Sequence, residues 1–385
     1  MDTHRRMRSG LIALLLILVV TSGAPGDIEI FPIARETKDQ QHPAIDGAVV
    51  AWQDNRNGDW DIAVAEMSSL SGISPVTYTD MFSESQYPAV SGSLVVWQSK
   101  FFMDEDCDIV GLDLSAETFF EVMASYRDEC RPAISGDLVV AEVRTTGAAD
   151  WDIAGADISR RNAPEVFWID ASPADQCRPD VSDGFVVYED AYDGTWQLYG
   201  ADLCDRDDPA WFPIFAGAGA QHHPAIAGKW VVWEDDGQGP WAMVGDNIFH
   251  PRLPEPLQSS DAFDCLAPDV HNNVVVWQDY RNGNWDIYGY NLTSKTSFQI
   301  TTNDADQTDP AISFSSDLNG YVVVWQDYRH GNWDIYGAFL DDAEVAGCAS
   351  PLRCDVNADS VVDANDLDDV EACQGKRDGI PIESE

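Results

Sequence analysis

The sequence predicts an all-β protein, a seven-bladed β-propeller followed by a short calcium-loop and helix segment. Three observations predict the propeller. One sequence unit recurs seven times, its copies are 42 to 47 residues apart as in propeller blades, and each unit divides into short strands separated by turn residues. A proline near the start marks every copy: Pro43, Pro88, Pro132, Pro179, Pro224, Pro268 and Pro310.

Each unit is predicted to form four strands, a to d. In the sixth unit these are the segment at the proline, VVVW at 274–277, WDIYGYNL at 285–292 and the weaker TSFQIT at 296–301. Strand b has no alternating polar residues, so we expect neighbouring blades to cover both of its faces. A tight Asn-Gly turn is expected between strands b and c.

The seventh unit lacks a strand d, because WDIYGAFL at 333–340 runs directly into DDAEVAGC. Residues 28–33, with the sequence IEIFPI, precede the first unit in the position of a strand d. The sequence therefore predicts that this amino-terminal strand completes the seventh blade and closes the ring. The propeller is assigned to residues 27–342.

An export signal is predicted at residues 1–26, because three arginines precede the apolar run 11–20. Ten apolar residues are too few to span a bilayer, so no membrane span is expected after the signal is removed. We expect a secreted or cell-surface protein, with the periplasm as an alternative. Eight cysteines in an exported chain predict disulfides but do not determine their pairing.

Residues 348–376 are predicted to form a calcium loop and a short helix, followed by a tail at 377–385. Oxygen-bearing residues alternate through a twelve-residue loop, a pattern that suits calcium. The predicted ligands are Asp355, Asn357, Asp359, Val361 (through its carbonyl), Asp363 and Asp366.

This segment resembles one half of a type I dockerin, with an EF-hand-like loop. The resemblance implies a cohesin-like or cell-surface protein as partner. Two departures stand against it: Ser360 occupies the usual glycine position, and no second half follows Gly375. A calcium-stapled tail is therefore an equal alternative.

The unit WQDYRNGNWDIYG at 277–289 resembles the propeller repeats of the TolB type. The resemblance covers about residues 28–340 and implies the fold, while leaving the activity open. A net charge of −45 excludes nucleic acid as a partner, because the phosphate backbone would be repelled.

Residues that recur in most units are expected to be structural. Asp54, Asp279 and Asp327 are each followed two residues later by arginine, and these pairs are expected to hold the b–c turn. The recurring tryptophans are interpreted as contacts between blades. On strand b they are Trp52, Trp97, Trp233, Trp277 and Trp325, and at the start of strand c they are Trp60, Trp151, Trp285 and Trp333.

Functional residues are expected where the units differ. The residue before each proline should face one mouth of the central channel, and these seven are His42, Tyr87, Arg131, Arg178, His223, Ala267 and Asp309. All except Ala267 are candidate ligand-binding residues. We expect a basic and aromatic pocket that binds a carboxylate or sugar acid through arginine. The alternative is that the two arginines only pair with nearby acids such as Glu129 and Asp180.

The preferred hypothesis is a secreted, non-catalytic propeller that binds a carbohydrate or protein partner at the channel mouth, with calcium as the only cofactor. The alternative is a metal-dependent uronate lyase or another polysaccharide-degrading enzyme, because TolB-like propellers include oligogalacturonate lyases whose metal is held by His and Gln. Gln41, His42, Gln221, His222 and His223 offer those ligand types, whereas His271 lies on a different segment. No catalytic residue is assigned.

Overall fold

The computed structural model describes residues 28–341 and 345, except for 68, 71–72, 79–82, 102–105, 146–149, 193, 207–208, 216, 218, 238, 249–253 and 258–262. The predicted export signal, the six calcium ligands of the predicted loop and the tail lie outside the described residues, and they stay predictions.

The described residues form seven four-stranded antiparallel sheets, which confirms the seven-bladed propeller. The amino-terminal strand β1 spans Glu29–Ala34. Blade 1 contains β2 Gln40–Asp46, β3 Val49–Asp54, β4 Asp61–Glu66 and β5 Val76–Tyr78. Blade 2 contains β6 Ser83–Ser91, β7 Leu94–Phe101, β8 Asp108–Asp113 and β9 Thr118–Met123. Blade 3 contains β10 Arg127–Ser135, β11 Leu138–Thr145, β12 Asp152–Asp157 and β13 Glu165–Asp170.

Blade 4 contains β14 Gln176–Ser182, β15 Phe185–Asp190, β16 Gln197–Asp202 and β17 Ala210–Phe215. Blade 5 contains β18 Gln221–Ala227, β19 Trp230–Asp235, β20 Ala242–Asn247 and β21 Glu255–Pro256. Blade 6 contains β22 Cys265–His271, β23 Val274–Asp279, β24 Asp286–Asn291 and β25 Thr296–Gln299. Blade 7 contains β26 Gln307–Ser315, β27 Gly320–Asp327 and β28 Asp334–Asp341.

The predicted closure by the amino-terminal strand is confirmed. Strand β1 pairs antiparallel with β28 and completes blade 7 in the order β1-β28-β27-β26. Phe31 lies opposite Gly337 in this pairing. The strand that closes the ring therefore comes from the beginning of the propeller and not from its end.

The core lies between the blades, as the unbroken valines of strand b predict. Val50 and Trp52 of blade 1 belong to one buried cluster with Val322 and Val324 of blade 7. The five strand b tryptophans are all buried, which confirms their interpretation as contacts between blades. Burial of this apolar surface stabilises the ring at every junction between neighbours.

The tryptophans at the start of strand c are half-buried. Their backbone carbonyls connect the blades. Each accepts an N–H from the first part of strand a in the next blade, at 2.7–3.0 Å, and blade 2 uses a cysteine at this position. The seven acceptors are Trp60, Cys107, Trp151, Trp196, Trp241, Trp285 and Trp333.

The connection between strands b and c is longer than the expected tight turn. In blade 6 it covers residues 280–285, and the N–H of Gly283, at φ 91°, donates to the carbonyl of Tyr280. Asp279 holds this loop by accepting hydrogen bonds from the backbone N–H and the guanidinium of Arg281. The predicted role of the Asp–Arg pairs is thus confirmed, and we call this arrangement the Asp–Arg clasp. It recurs in blades 1 and 7.

A glycine on strand c lets the strand d phenylalanine lie flat against the blade. A Cβ atom at Gly289 would lie 2.4 Å from Cζ of Phe298, which is closer than side chains allow. Gly111, Gly155 and Gly200 face Phe120, Phe167 and Phe212 in the same way. The recurring glycine of the repeat is therefore a packing requirement of the outer strand.

Cys204 is disulfide-bonded, whereas Cys107, Cys130 and Cys177 are not. Within the residues that the structure describes, no helix has the length and apolar character needed to cross a membrane.

Candidate functional site

The seven residues before the prolines meet at one mouth of the central channel, as predicted. They line a cavity of about 290 Å³ whose other walls are the seven prolines themselves. The ring therefore brings together side chains that are more than 260 residues apart in sequence, such as His42 and Asp309.

All seven ring residues have an unusual backbone conformation, with φ between 47° and 56°. Side chains with a Cβ rarely adopt this left-handed region, and each such residue costs about 1–3 kcal/mol. The strand a–strand b register shifts at this point in every blade, for example between Gln41 and Ala44. This bulge turns the side chain before the proline towards the channel mouth.

The strained conformation is held by a hydrogen bond from the preceding blade. The N–H of each ring residue donates to a Gln or Glu side chain on the preceding blade's strand b, at 2.7–3.3 Å. The acceptors, in blade order from 1 to 7, are Gln53, Gln98, Glu142, Glu189, Glu234, Gln278 and Gln326. Neighbouring blades therefore fix the backbone of the mouth.

Three adjacent blades use Glu where the other four use Gln, so buried carboxylates lie beneath one side of the mouth. Burial raises the pKa of Glu142, although the N–H of Arg178 and nearby guanidinium groups oppose this shift. Burial also acts to raise the pKa of Glu189. There, the hydrogen bond with His222, the charge of Arg178 and the N–H of His223 outweigh burial, so the pKa lies below its usual value.

Three basic side chains of the ring lie next to carboxylates. Arg178 Nη1 donates to both oxygens of Glu189, at 3.1 and 3.2 Å. Two histidines lie within ion-pair distance of acids: His223 Nδ1 is 2.8 Å from Glu234, and His42 Nδ1 is 2.6 Å from Asp309. Carboxylates therefore lie beside basic side chains at three points of the mouth.

The prediction that Glu129 and Asp180 pair with the two arginines was wrong. Glu129 accepts a hydrogen bond from Ser125, and the carboxylate of Asp180 accepts the N–H groups of Val181 and Ile226. The carboxylates that do face the arginines are on strand b, where the sequence analysis assigned no function.

Both arginines keep donors for a ligand. Nε of Arg178 is buried and has no hydrogen-bond partner among the described residues. Arg131 is 42% exposed, and its Nε lies 3.9 Å from the nearest oxygen of Glu142, beyond hydrogen-bond distance. Its guanidinium lies over the ring of Tyr87, 5.0 Å from the centroid. The two arginines therefore offer guanidinium donors beside the aromatic face of Tyr87.

An adjoining cavity of about 560 Å³ extends the mouth outwards over blades 5 and 6. It shares His42, Arg178 and His223 with the central cavity and adds Trp241 and His222. The rings of Trp241 and His222 lie 5.4 Å apart. The site is therefore long enough for a ligand of more than one ring, with an aromatic wall on one side.

Three of the predicted metal ligands, His42, His222 and His223, line one cavity but do not form a metal-holding group among the described residues. His222 and His223 each face a different glutamate, and Gln221 donates to Asp235 and to the carbonyl of Gly219. His271 stacks edge-on against Tyr321 on another part of strand a. Within the described part of the chain, no three His, Cys, Asp or Glu side chains are grouped to hold a metal ion. These residues do not fit a lyase metal centre.

Two acids lie deeper in the channel, one residue after the ring prolines, where five blades have alanine. Asp180 and Asp269 each accept two backbone N–H groups, one of them from the next blade. Burial raises the pKa of Asp180 to about 6 and that of Asp269 to about 7, and the negative charge of Asp180 adds to the second shift.

These channel acids predict a pH dependence of stability. Because their pKa values in the folded state exceed the unfolded value near 4, the native state binds more protons between about pH 4 and pH 7. The free energy of unfolding should therefore fall as pH rises through this window. Asp269→Asn keeps the shape without the charge. We expect it to reduce the fall between pH 5 and pH 8 by about 1–3 kcal/mol, since the channel still admits solvent.

Urea unfolding at both pH values measures this effect, and Asp317→Asn on the exposed surface serves as the control. An unchanged difference between pH 5 and pH 8 in Asp269→Asn would contradict the assigned role of the channel acids.

The Gln/Glu ring is the functional feature that the sequence analysis missed. A signal was present, because the residue after the strand b tryptophan, or after its Ala or Tyr substitute, is Gln or Glu in all seven units. A recurring polar residue within an otherwise apolar strand indicates an obligatory hydrogen bond. Only the structure shows that its partner is the N–H before the proline of the next blade.

No protein-family model and no curated protein matches the chain. Among solved structures, the β-propeller domain of the Trilobed protease from Pyrococcus furiosus is similar, with 8% identity over 78% of this chain and 96% of that chain and a TM-score of 0.57. An oligogalacturonate lyase in complex with manganese has 10% identity over 83% and 99% of the two chains, with a TM-score of 0.55.

TolB from Acinetobacter baumannii has 14% identity over 69% of this chain and 66% of that chain, with a TM-score of 0.48, and no inference rests on it. At these identities the first two similarities show the propeller fold alone.

Proposed function

We propose that this chain is an exported, non-catalytic propeller that binds an acidic carbohydrate at the channel mouth. The observation that carries the proposal is the pair of guanidinium groups with unused donors in one cavity. Arg178 Nε is buried without a hydrogen-bond partner among the described residues, and Arg131 is exposed beside Tyr87. A sugar carboxylate would accept from both arginines.

The remaining walls suit a sugar. Tyr87 and Trp241 offer aromatic faces to the apolar side of a sugar ring, and the carboxylates and imidazoles of the ring accept and donate to hydroxyl groups. The strained, cross-blade backbone fixes these groups before the ligand arrives, which reduces the entropy lost on binding. The protein's overall negative charge opposes an anionic ligand at long range, but salt screens this repulsion beyond about 8 Å at physiological ionic strength.

The lyase alternative has less support. The similarity to an oligogalacturonate lyase with manganese shows the fold alone, and His42, His222 and His223 face separate carboxylates. We therefore expect binding without the formation of an unsaturated product.

The test is calorimetric titration of the full chain with trigalacturonate. Arg131→Ala should weaken binding about 10- to 100-fold, the effect of losing hydrogen bonds to a charged group. Arg127→Ala is the matched control, because Arg127 lies on the same strand, β10, and contacts Thr145 and Trp168 away from the mouth. Equal affinities for wild type and Arg131→Ala would refute the proposal, and ultraviolet absorbance of an unsaturated product would favour the lyase.

A further inference from the structure

The Asp–Arg clasp is absent from blade 2, although its strand b tryptophan is present. In blade 6, Trp277 Nε1 donates to Asp279, and the guanidinium of Arg281 lies over Tyr288, 4.0 Å from its centroid. Blade 2 has Ser99 in the position of the aspartate and Phe101 in that of the arginine. The tyrosine position is occupied by Val110, which pairs with Trp97 as Tyr288 pairs with Trp277.

A cavity of about 790 Å³ opens where the clasp would stand, at the outer edge of blade 2. Ser99, Phe101 and Val110 all line it, so it occupies the space that the carboxylate and guanidinium fill in blade 6. Its volume is within the range of small-molecule sites. The cavity shares no lining residue with the channel mouth, because its wall contains the strand d residues 118–121 and none of the strand a prolines.

The cavity contains a buried donor without an acceptor. Trp97 is 4% exposed, and its Nε1 has no hydrogen-bond partner among the described residues. In blades 1, 6 and 7 the equivalent indole donates to the aspartate of the clasp. Because buried donors are normally paired, an acceptor from outside the chain would complete this site.

The chemistry of the walls selects the ligand. Trp97, Phe119 and Tyr78 form an aromatic cluster, with ring centroids 5.9 and 6.1 Å apart in edge-on contacts. The hydroxyl-bearing side chains Ser83, Ser85 and Ser99 line the same space. A cation could use the aromatic rings but could not accept from Trp97 Nε1. Glu121 in the wall would repel an anion, and the other charged residue of the wall, Arg161, is already paired with Asp137.

We propose that the blade 2 cavity binds a neutral sugar unit. The apolar face of the sugar ring would contact the aromatic cluster, and one hydroxyl oxygen would accept from Trp97 Nε1. This site is separate from the channel mouth and takes an uncharged ligand, so the protein would hold two parts of a glycan, or two glycans, at once.

The test is titration of the full chain with maltotriose, cellotriose and xylotriose, followed by saturation-transfer NMR. Trp97→Phe keeps the ring and removes the donor, and it should weaken binding of the bound sugar about three- to tenfold. Ser99→Asp restores the clasp carboxylate, which should accept from Trp97 Nε1, remove this donor from the ligand and abolish binding while raising the melting temperature.

Trp233→Phe is the matched control. Trp233 Nε1 of blade 5 also lacks a partner among the described residues, but the residue does not line this cavity, so sugar binding should be unchanged. Arg131→Ala should likewise bind the neutral sugar as the wild type does, which separates this site from the mouth. The proposal is overturned if none of the three sugars binds at about 10 mM, if Ser99→Asp binds normally, or if Arg131→Ala abolishes binding.

Discussion

Replacing Asp279 by alanine is expected to lower the free energy of unfolding by about 3–5 kcal/mol. Asp279 is fully buried and accepts five hydrogen bonds, from the backbone N–H, Nε and Nη2 of Arg281, from Trp277 Nε1 and from Cys265 Sγ. The substitution leaves a guanidinium and an indole donor without their acceptor. Both donors remain buried without a hydrogen bond, so the free energy of their desolvation is no longer offset.

The matched variant is Asp235→Ala in blade 5. Asp235 occupies the same position, but Gly237 stands where the arginine would be and Trp233 Nε1 is not bonded to it. Among the described residues, Asp235 accepts from Gly237 N and Gln221 Nε2 alone, so we expect a cost of about 1 kcal/mol. Urea unfolding measures both variants, and similar costs for the two would show that the clasp contributes nothing specific.

The same clasp should weaken in acid. Burial acts to raise the pKa of Asp279, but the hydrogen bonds from Arg281 and Trp277 outweigh it, and the pKa lies below its usual value. A depressed pKa contributes stability that is present above the unfolded value and is lost as pH falls through the folded value. The cost of Asp279→Ala should accordingly shrink at low pH.

Phe31→Ala should cost about 3–5 kcal/mol and should loosen blade 7 selectively. Phe31 is buried on β1 and lies against Gly337 of β28, where even an added Cβ would be 3.0 Å from its ring. Strand β1 is attached to blade 7 by pairing and packing only, because the chain continues from it into blade 1. Loss of the phenylalanine therefore weakens the closure of the ring itself.

Phe167→Ala in blade 3 is the control, because Phe167 lies against Gly155 in the same way but its strand β13 follows β12 directly in the chain, and it packs in a cluster of blades 3 and 4. Hydrogen exchange should show faster exchange of β28 amides in Phe31→Ala and no such change in Phe167→Ala. Wild-type protection of β28 in Phe31→Ala would mean that β1 does not close the propeller.

The fold could be predicted from the sequence because repetition supplies seven independent copies of the same signal. The proline positions, the apolar strand b and the missing last strand d together determined the number of blades and the closing strand. The b–c connection was predicted too short, because the Asn-Gly pair indicated a two-residue turn while the aspartate–arginine contact closes a longer loop.

The sequence predicted which residues lie at the channel mouth, but it did not predict which carboxylates face them. Position before a proline places Arg131 and Arg178 at the mouth, since this depends only on the repeat. The carboxylates that face them, Glu142 and Glu189, come from strand b of the same blade, and that proximity depends on the bulge and on the twist of the blade. The cavity beside Trp97 could not be predicted from the sequence either, because it exists where the small side chain of Ser99 replaces the aspartate of the clasp.

A crystal structure of the full chain with trigalacturonate tests the central claim most directly. The account predicts a ligand carboxylate within hydrogen-bond distance of Arg131 and of Arg178 Nε, with a sugar ring against Tyr87 or Trp241. A ligand bound elsewhere on the propeller, with the two arginines still facing only Glu142 and Glu189, would contradict it.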